Sequence, residues 1–168
     1  TIGIVNYGTM KIYDSKISLN KVGVKSDKYS YIEIYESIIE ENSGTGIMLS
    51  YTDLNSRVQG CTISNNSTYG IYDTEGAWFG NEFHVIECAF ILNGGEAIWG
   101  ERYSIEGCLV TGGGIYGRVI NALDNTFVDE SYSGSGIRIP DPGRALISHN
   151  TISGYSTGIQ VETSNEVS

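Results

Sequence analysis

The pattern that decides the fold is clearest near the end of the chain, in Asn150-Thr151-Ile152-Ser153-Gly154-Tyr155-Ser156-Thr157-Gly158-Ile159-Gln160-Val161. This stretch consists of an Asn-x-apolar segment, a short polar turn and a Gly-apolar-x-apolar segment. The same order occurs one period earlier, where Asn125-Thr126-Phe127 is followed by Gly136-Ile137-Arg138-Ile139. The recurrence predicts that the chain is built from copies of one structural unit.

The Gly-apolar element recurs along the whole chain and gives the length of the unit. Its first residues are Gly3, Gly23, Gly46, Gly70, Ala97, Gly114, Gly136 and Gly158. Successive members are 20, 23, 24, 27, 17, 22 and 22 residues apart. A mean spacing of about 22 residues lies in the range of stacked repeats, so we expect about eight coils.

A second recurring element lies between these anchors, and its third residue forms a column of small or polar side chains. The members of the column are Ser15, Ser37, Cys61, Cys88, Cys108, Asn125 and Asn150. Apolar residues alternate in the flanking segments of three to five residues, which predicts short β-strands and no helices. Such strands cannot bury a face alone, so each is expected to stack on the equivalent strand of the next copy.

The three cysteines occupy one position in consecutive coils, and we expect them to point inward as free, buried thiols. A disulfide between neighbours is the alternative, although it would strain a stack that is in register. A metal site is not expected, because no CxxC or histidine pairing accompanies the thiols.

This arrangement resembles the right-handed parallel β-helix, the fold of pectate lyases, polygalacturonases, alginate and chondroitin lyases, sugar epimerases and phage tailspikes. The expected fold class is therefore all-β, a right-handed parallel β-helix (solenoid) of about eight coils of about 22 residues. It forms one domain over residues 1–168 and is expected to be a segment of a longer rod. The resemblance implies that Asn125 and Asn150 belong to an internal ladder of side-chain hydrogen bonds, which Ser15 and Ser37 continue.

Composition narrows the classes of function. The net charge of −10 argues against binding to nucleic acid, which requires clusters of Lys and Arg. No run of about 18 apolar residues is present, so no membrane span is expected. The chain lacks a Gly-rich loop leading into a helix, which argues against a nucleotide or redox domain. An acidic surface fits an extracellular, cell-surface or virion-associated protein; no cofactor is expected, and calcium-assisted contacts are left open.

One outward-facing column suggests a binding surface. If the apolar residue after each Gly anchor points inward, the next residue faces solvent. That outward column reads Val5, Lys25, Met48, Tyr72, Trp99, Tyr116, Arg138 and Gln160. Its three successive aromatic residues could form a strip on which sugar rings stack. Alternatively, they are ordinary strand aromatics that stabilise one another across the sheet.

Charged residues beside this strip suggest how a polysaccharide could be processed. Glycoside hydrolysis needs two carboxyl groups, and Asp73 or Glu75 together with Glu101 would supply them. A lyase instead needs a base and positive charge near the uronate carboxylate. The candidate cations are Arg102, Arg118 and Arg138.

Two family motifs and one modification motif bear on these ideas. The paired-Asp motifs of polygalacturonases are absent, and Asp141-Pro142-Gly143 differs at its third position from the Asp-Pro-His run of alginate epimerases. These departures argue against both activities. Asn65-Asn66-Ser67 and Asn66-Ser67-Thr68 match N-glycosylation acceptors in an expected turn.

The sequence therefore supports two classes of function. The first is an extracellular carbohydrate-binding or polysaccharide-processing module of lyase or hydrolase type, with its enzymatic status open. The second is a non-enzymatic structural or adhesive rod, such as a surface-protein or phage tailspike segment. The expected partners are a polysaccharide or glycan and, for the rod, further copies of the chain or the continuation of a longer rod.

Overall fold

The computed structural model describes residues 1–50, 56–74, 82–131, 133–140 and 143–162. These residues form short strands joined by turns, without helices. In chain order the strands are β1 (Ile2–Asn6), β2 (Thr9–Tyr13), β3 (Lys16–Ser18), β4 (Val22–Ser26), β5 (Tyr31–Tyr35), β6 (Ile38–Glu40), β7 (Ile47–Leu49), β8 (Arg57–Gln59), β9 (Thr62–Ser64), β10 (Ile71–Asp73), β11 (Phe83–Ile86), β12 (Ala89–Ile91), β13 (Ile98–Glu106), β14 (Leu109–Thr111), β15 (Ile115–Leu123), β16 (Thr126–Val128), β17 (Ser135–Ile139), β18 (Arg144–Ser148), β19 (Thr151–Ser153) and β20 (Thr157–Val161).

The strands stack in parallel into three faces. The first face contains β1, β4, β7, β10, β17 and β20, the second β2, β5, β8, β11 and β18, and the third β3, β6, β9, β12, β14, β16 and β19. The long strands β13 and β15 bend through the first and second faces, since β13 pairs with β10 at one end and with β11 at the other. The result is a parallel β-solenoid of about seven turns. The expected class is confirmed, with one coil fewer than expected.

The repeat register is the one that the Gly-apolar spacing predicted. Ile47 pairs with Val24 on one side and with Ile71 on the other, and Ile98 then continues the column. These four side chains are fully buried. Because successive side chains alternate across a strand, this column places the residue that follows each member on the outer surface.

The Ser-Cys-Asn column forms the expected internal ladder. The backbone N–H of Ser15 donates to Ser37 Oγ (3.2 Å), and that of Cys108 donates to Asn125 Oδ1 (2.9 Å). The Asn125 N–H in turn donates to Asn150 Oδ1 at 2.9 Å. The three cysteines between these ends are buried and free, as predicted. Each ladder side chain therefore satisfies a backbone group at a buried corner.

A second ladder lies at another corner of the solenoid. It contains Asn20, Asn42, Asn66 and Asn93, which follow four successive strands of the third face. Asn42 Nδ2 donates to Asn66 Oδ1 (2.9 Å), and Asn66 Nδ2 donates to Asn93 Oδ1 (3.0 Å). Asn66 is 1% exposed, so the interpretation of this residue as a glycosylation acceptor is wrong for the folded chain.

Candidate functional site

The outward column on the first face brings three aromatic rings and a guanidinium group together. Tyr72 pairs with Trp99, Trp99 with Tyr116, and Tyr116 with Arg138. The ring centroids of Tyr72 and Trp99 lie 4.9 Å apart, and those of Trp99 and Tyr116 lie 5.3 Å apart. Arg138 Cζ lies 5.3 Å from the centroid of the Tyr116 ring. We call this row, together with Tyr69, the aromatic stack.

The rings of the aromatic stack cover one another. The planes of Trp99 and Tyr116 differ by 10°, and those of Tyr72 and Trp99 by 28°. Tyr69, from the turn before β10, adds a ring 4.8 Å from that of Tyr72. Because the ring faces pack on one another, the inner members of the stack turn their edges to solvent. The rings therefore make the cross-strand contacts of the alternative interpretation, and a sugar would meet ring edges rather than a flat aromatic platform.

The charged residues near the aromatic stack pair with one another. Glu101 Oε2 lies 3.3 Å from Arg118 Nη1. Arg138 donates from Nε to Glu162 Oε1 (2.6 Å), and its Nη2 lies 2.5 Å from the same oxygen. Arg102 lies three residues beyond Trp99 on β13, which is about 10 Å along an extended strand. The structure thus brings Arg138 into the stack and joins Arg118 to Glu101.

The predicted carboxylate group is only partly assembled. Asp73 occupies an inward-facing column of the first face, in register with the buried Leu49. A Cβ placed on Gly100 would lie 2.7 Å from the Asp73 Cβ and against the Tyr103 hydroxyl, which is in the interior. Asp73 therefore lies on the opposite side of its strand from Tyr72. Glu75 lies outside the described residues.

A notch in one corner of the solenoid lies beside the aromatic stack. The turn that joins the third face to the next first-face strand spans six residues at 92–97, three at 112–114 and six at 129–134. The short turn leaves the surface recessed between its two longer neighbours. It consists of three glycines, and Gly113 has a φ of 67°. A Cβ on Gly114 would collide with the carbonyl oxygen of Ser135, so the close approach of these turns requires glycine.

This notch is a cleft of about 360 Å³. Its volume is at the small end of the usual range for ligand sites. Glycines of three turns form much of its wall. The polar side chains that line it are Asn93, Glu96, Asp129, Ser133, Ser135, Arg138, Tyr155 and Gln160.

Hydrogen bonds fix the two innermost polar groups of the cleft. Asp129 is 5% exposed and accepts from the backbone N–H (2.9 Å) and the hydroxyl (2.7 Å) of Ser131. Burial raises the pKa of Asp129, but the hydrogen bonds from Ser131 and Ser133 outweigh it, so the pKa lies below its usual value. Tyr155 Oη donates to the Gly113 carbonyl oxygen (2.7 Å), and burial raises its pKa well above the usual value.

The cleft and the aromatic stack share a border. Arg138 lies over the Tyr116 ring and also lines the cleft. Glu96 lines the cleft and is close enough to Tyr69 to contribute, after burial, to the raised pKa of that phenol. A ligand in the cleft could therefore extend along the edge of the stack.

Sequence reasoning found the aromatic stack and missed most of the cleft. Tyr72, Trp99, Tyr116 and Arg138 were placed correctly because one register fixes them all. Glu96, Asp129 and Tyr155 were not identified, because they lie in corner turns of different coils. The alternation of three-residue and six-residue intervals between strands was the available signal.

The stacked faces and internal ladders define a parallel β-solenoid, and comparison with known families specifies its kind. The family model described as the right handed beta helix region matches residues 1–114, more than half of the chain, and the chain belongs to this family. No curated protein and no solved structure matches the chain. The β-helix fold is shared by polysaccharide-processing and structural proteins.

In the part of the chain that the structure describes, no helix has the length and apolarity needed to cross a membrane. Within those same residues, no group of three or more His, Cys, Asp or Glu side chains is arranged to hold a metal ion.

Proposed function

We propose that the chain is a glycan-binding module that holds a sugar unit in the corner cleft, with the neighbouring units along the aromatic stack. The observation that carries this proposal is the cleft of about 360 Å³, lined by eight polar side chains, beside a row of aromatic rings. Sugar recognition combines hydroxyl hydrogen bonds with contacts to aromatic side chains. The cleft offers polar groups for the first, and the ring edges of the stack lie along its border. An extracellular, cell-surface or virion-associated location is part of the proposal.

A glycan array tests this function. Wild-type protein is expected to bind at least one class of polysaccharide, and Trp99→Ala and Glu96→Ala, one in the aromatic stack and one in the cleft, are expected to lose that binding. Arg144→Ala is the control, because Arg144 is exposed on β18 of the second face. Binding that is absent in wild type, or equal in all four proteins, would contradict the proposal. Arrays run with calcium and with a chelator test whether calcium assists the contact.

The enzymatic version of the proposal uses the carboxylates that share the cleft. Hydrolysis of a glycosidic bond needs one carboxyl group as acid and one as base or nucleophile. Asp129, whose pKa is lowered, suits the ionised role, and Glu96 is the second carboxyl group at the cleft. Incubation with a polysaccharide panel separates the outcomes: new reducing ends indicate a hydrolase, and unsaturated products that absorb ultraviolet light indicate a lyase. If neither product forms, the chain binds the polysaccharide without cleaving it.

A structural or adhesive rod is the second candidate, and the self-packed aromatic stack favours it. The ring faces cover one another, and Arg118 and Arg138 pair with carboxylates of the same chain. A rod that associates with copies of itself would show a molecular mass in solution several times that of the 18.3 kDa chain. A monomer that binds a glycan excludes this candidate, and an oligomer that binds none supports it.

A further inference from the structure

We infer that the corner cleft selects sugars that carry a free amino group over their neutral and acidic counterparts. This inference rests on the proposed glycan-binding function and specifies its ligand class. It derives from the distribution of charge and of hydrogen-bond donors around the cleft.

The fixed charge at the cleft is negative. Glu96 and Asp129 line it, and the guanidinium of Arg138 is the cation among its lining residues. Arg138 donates a hydrogen bond from Nε to Glu162 Oε1 and forms an ion pair with the same carboxylate, so its positive charge is already compensated. An anionic sugar would therefore approach two carboxylates with no free cation to receive it, whereas an ammonium group would be attracted.

Several donors around the cleft are already occupied. Among the described backbone groups of its wall, the Gly94 N–H donates to Asn66 O (2.8 Å), and the Gly95 N–H donates to Thr68 O. The hydroxyls of Ser135 and Tyr155 donate to Gln160 Oε1 and Gly113 O, both at 2.7 Å. With these N–H and O–H groups engaged, the carboxylates of Glu96 and Asp129 are the charged acceptors that the cleft offers to a ligand.

An amino sugar supplies what such a surface lacks. Its ammonium group carries three donors and a positive charge, and its ring hydroxyls donate to the remaining acceptors. Hydrogen bonds to charged groups are stronger than those between neutral ones. N-acetylation removes the charge and adds an acceptor, so the acetylated sugar is expected to bind more weakly.

Calorimetric titration with matched oligosaccharides tests the inference. The probes are glucosamine oligomers, N-acetylglucosamine oligomers of equal length and galacturonate oligomers, in slightly acidic buffer where the amine is protonated. Glucosamine oligomers are expected to bind at least about tenfold more tightly than the acetylated ones, with an affinity that falls as salt is added. Galacturonate oligomers are expected to bind most weakly.

Three variants assign the preference to the cleft. Glu96→Gln is expected to lower the ratio of the two affinities at least about threefold. Gln160→Glu is expected to raise it, because the new carboxylate still accepts from Ser135 while adding a negative charge. Glu106→Gln, at an exposed carboxylate at the end of β13, is the control and should leave the ratio unchanged.

The possible results distinguish a failure of this inference from a failure of the proposed glycan-binding function. Equal binding of acetylated and free oligomers, tighter binding of galacturonate, or a ratio that neither cleft variant changes overturns the inference and leaves glycan binding intact. Binding of none of these oligomers overturns the inference, and a blank glycan array then overturns the proposed function as well.

Discussion

A buried asparagine in this solenoid joins three coils through one amide. Asn66 Oδ1 accepts from the Asn42 backbone N–H (3.2 Å) and from Asn42 Nδ2 (2.9 Å). Its Nδ2 donates to Ile39 O (3.1 Å) and to Asn93 Oδ1 (3.0 Å). Since each of these groups is buried, losing the amide leaves donors and acceptors unsatisfied on both sides.

Asn66→Ala is therefore expected to lower the free energy of unfolding by about 2–4 kcal/mol, because several buried polar groups lose their partners. The control is the adjacent Asn65→Gly. Asn65 is exposed with a φ of 52°, a conformation that glycine adopts readily, so a change of less than about 1 kcal/mol is expected. Urea denaturation measures both values. Similar losses in the two variants would show that the ladder amide contributes little.

Glu33 gives a prediction about pH. It is 8% exposed and accepts hydrogen bonds from Tyr31 (2.6 Å) and Tyr35 (3.0 Å), while Lys11 Nζ lies 2.5 Å from Oε2. The hydrogen bond from Lys11, followed by that from Tyr31, lowers the pKa of Glu33 from 4.5 to about 2. A carboxyl whose pKa is depressed on folding stabilises the fold above its unfolded pKa, and this contribution is lost as the pH falls towards about 2.

Glu33→Gln is expected to destabilise the protein by about 1–2 kcal/mol at pH 7, less than the pKa shift alone implies because Lys11 is half exposed. The difference from wild type should shrink progressively between pH 4.5 and pH 2, where Glu33 becomes protonated. Urea midpoints across this range provide the measurement, with the exposed Glu106→Gln as control. A difference that is constant with pH would contradict the assigned contacts.

At the scale of the strands, the shared register stacks aromatic side chains of neighbouring coils, and we expect this stacking to stabilise the sheet. Trp99 packs against rings on both sides, at 4.9 Å and 5.3 Å. Met48 occupies the same outward column one coil before Tyr72, and both it and Trp99 are half-buried. The two positions thus share a column and a degree of burial. They differ in the size of the side chain and in whether it stacks on aromatic rings.

Trp99→Ala is expected to cost about 2–4 kcal/mol, through lost burial and two lost ring pairs. Met48→Ala is expected to cost less, because it removes no ring contact. Thermal unfolding of both variants, read by circular dichroism, tests the difference. If the Trp99 variant is as stable as the Met48 variant, the stack does not stabilise the sheet, and a role in ligand contact becomes its remaining explanation.

The arrangement of strands and turns explains which features could be predicted from the sequence. The strands of the first face share one register, so a single periodicity places Tyr72, Trp99 and Tyr116 in a row. The cleft instead depends on the lengths of corner turns, and the repeat average hides those lengths. The Asn42–Asn66 ladder was missed because Asn66 was interpreted as a glycosylation acceptor in a turn, although its members follow successive strands at nearly the spacing of the Gly anchors.

Asp73 shows the limit of reasoning from nearness in sequence. It follows Tyr72 directly, which suggested a shared surface, but adjacent residues of a strand face opposite sides. Glu96 and Arg138 are 42 positions apart in the numbering and border the same cleft because the coils stack. Sequence periodicity therefore predicted the fold and the stack, and it could not place polar groups that meet through turns.

At the scale of the whole molecule, each coil contacts mainly the coils before and after it. Stability in such a solenoid is approximately a sum of coil terms and nearest-neighbour terms. A ladder residue therefore acts on its own interface between coils. Asn150 links the coil of β19 to that of β16 through its bond from the Asn125 N–H (2.9 Å) and reaches Ala122 O (2.9 Å).

This organisation predicts local effects of ladder substitutions on amide hydrogen exchange. Asn150→Ala should lower protection in β16, β18 and β19 while leaving β3, β6 and β9 as in wild type, because these lie several coils away. Asn66→Ala should instead lower protection on both sides of β9, in β6 and β12. Exchange followed by peptide-level mass spectrometry resolves these segments. A uniform loss of protection along the whole chain in either variant would show a single cooperative unit, since coupling limited to neighbouring coils cannot transmit the change so far.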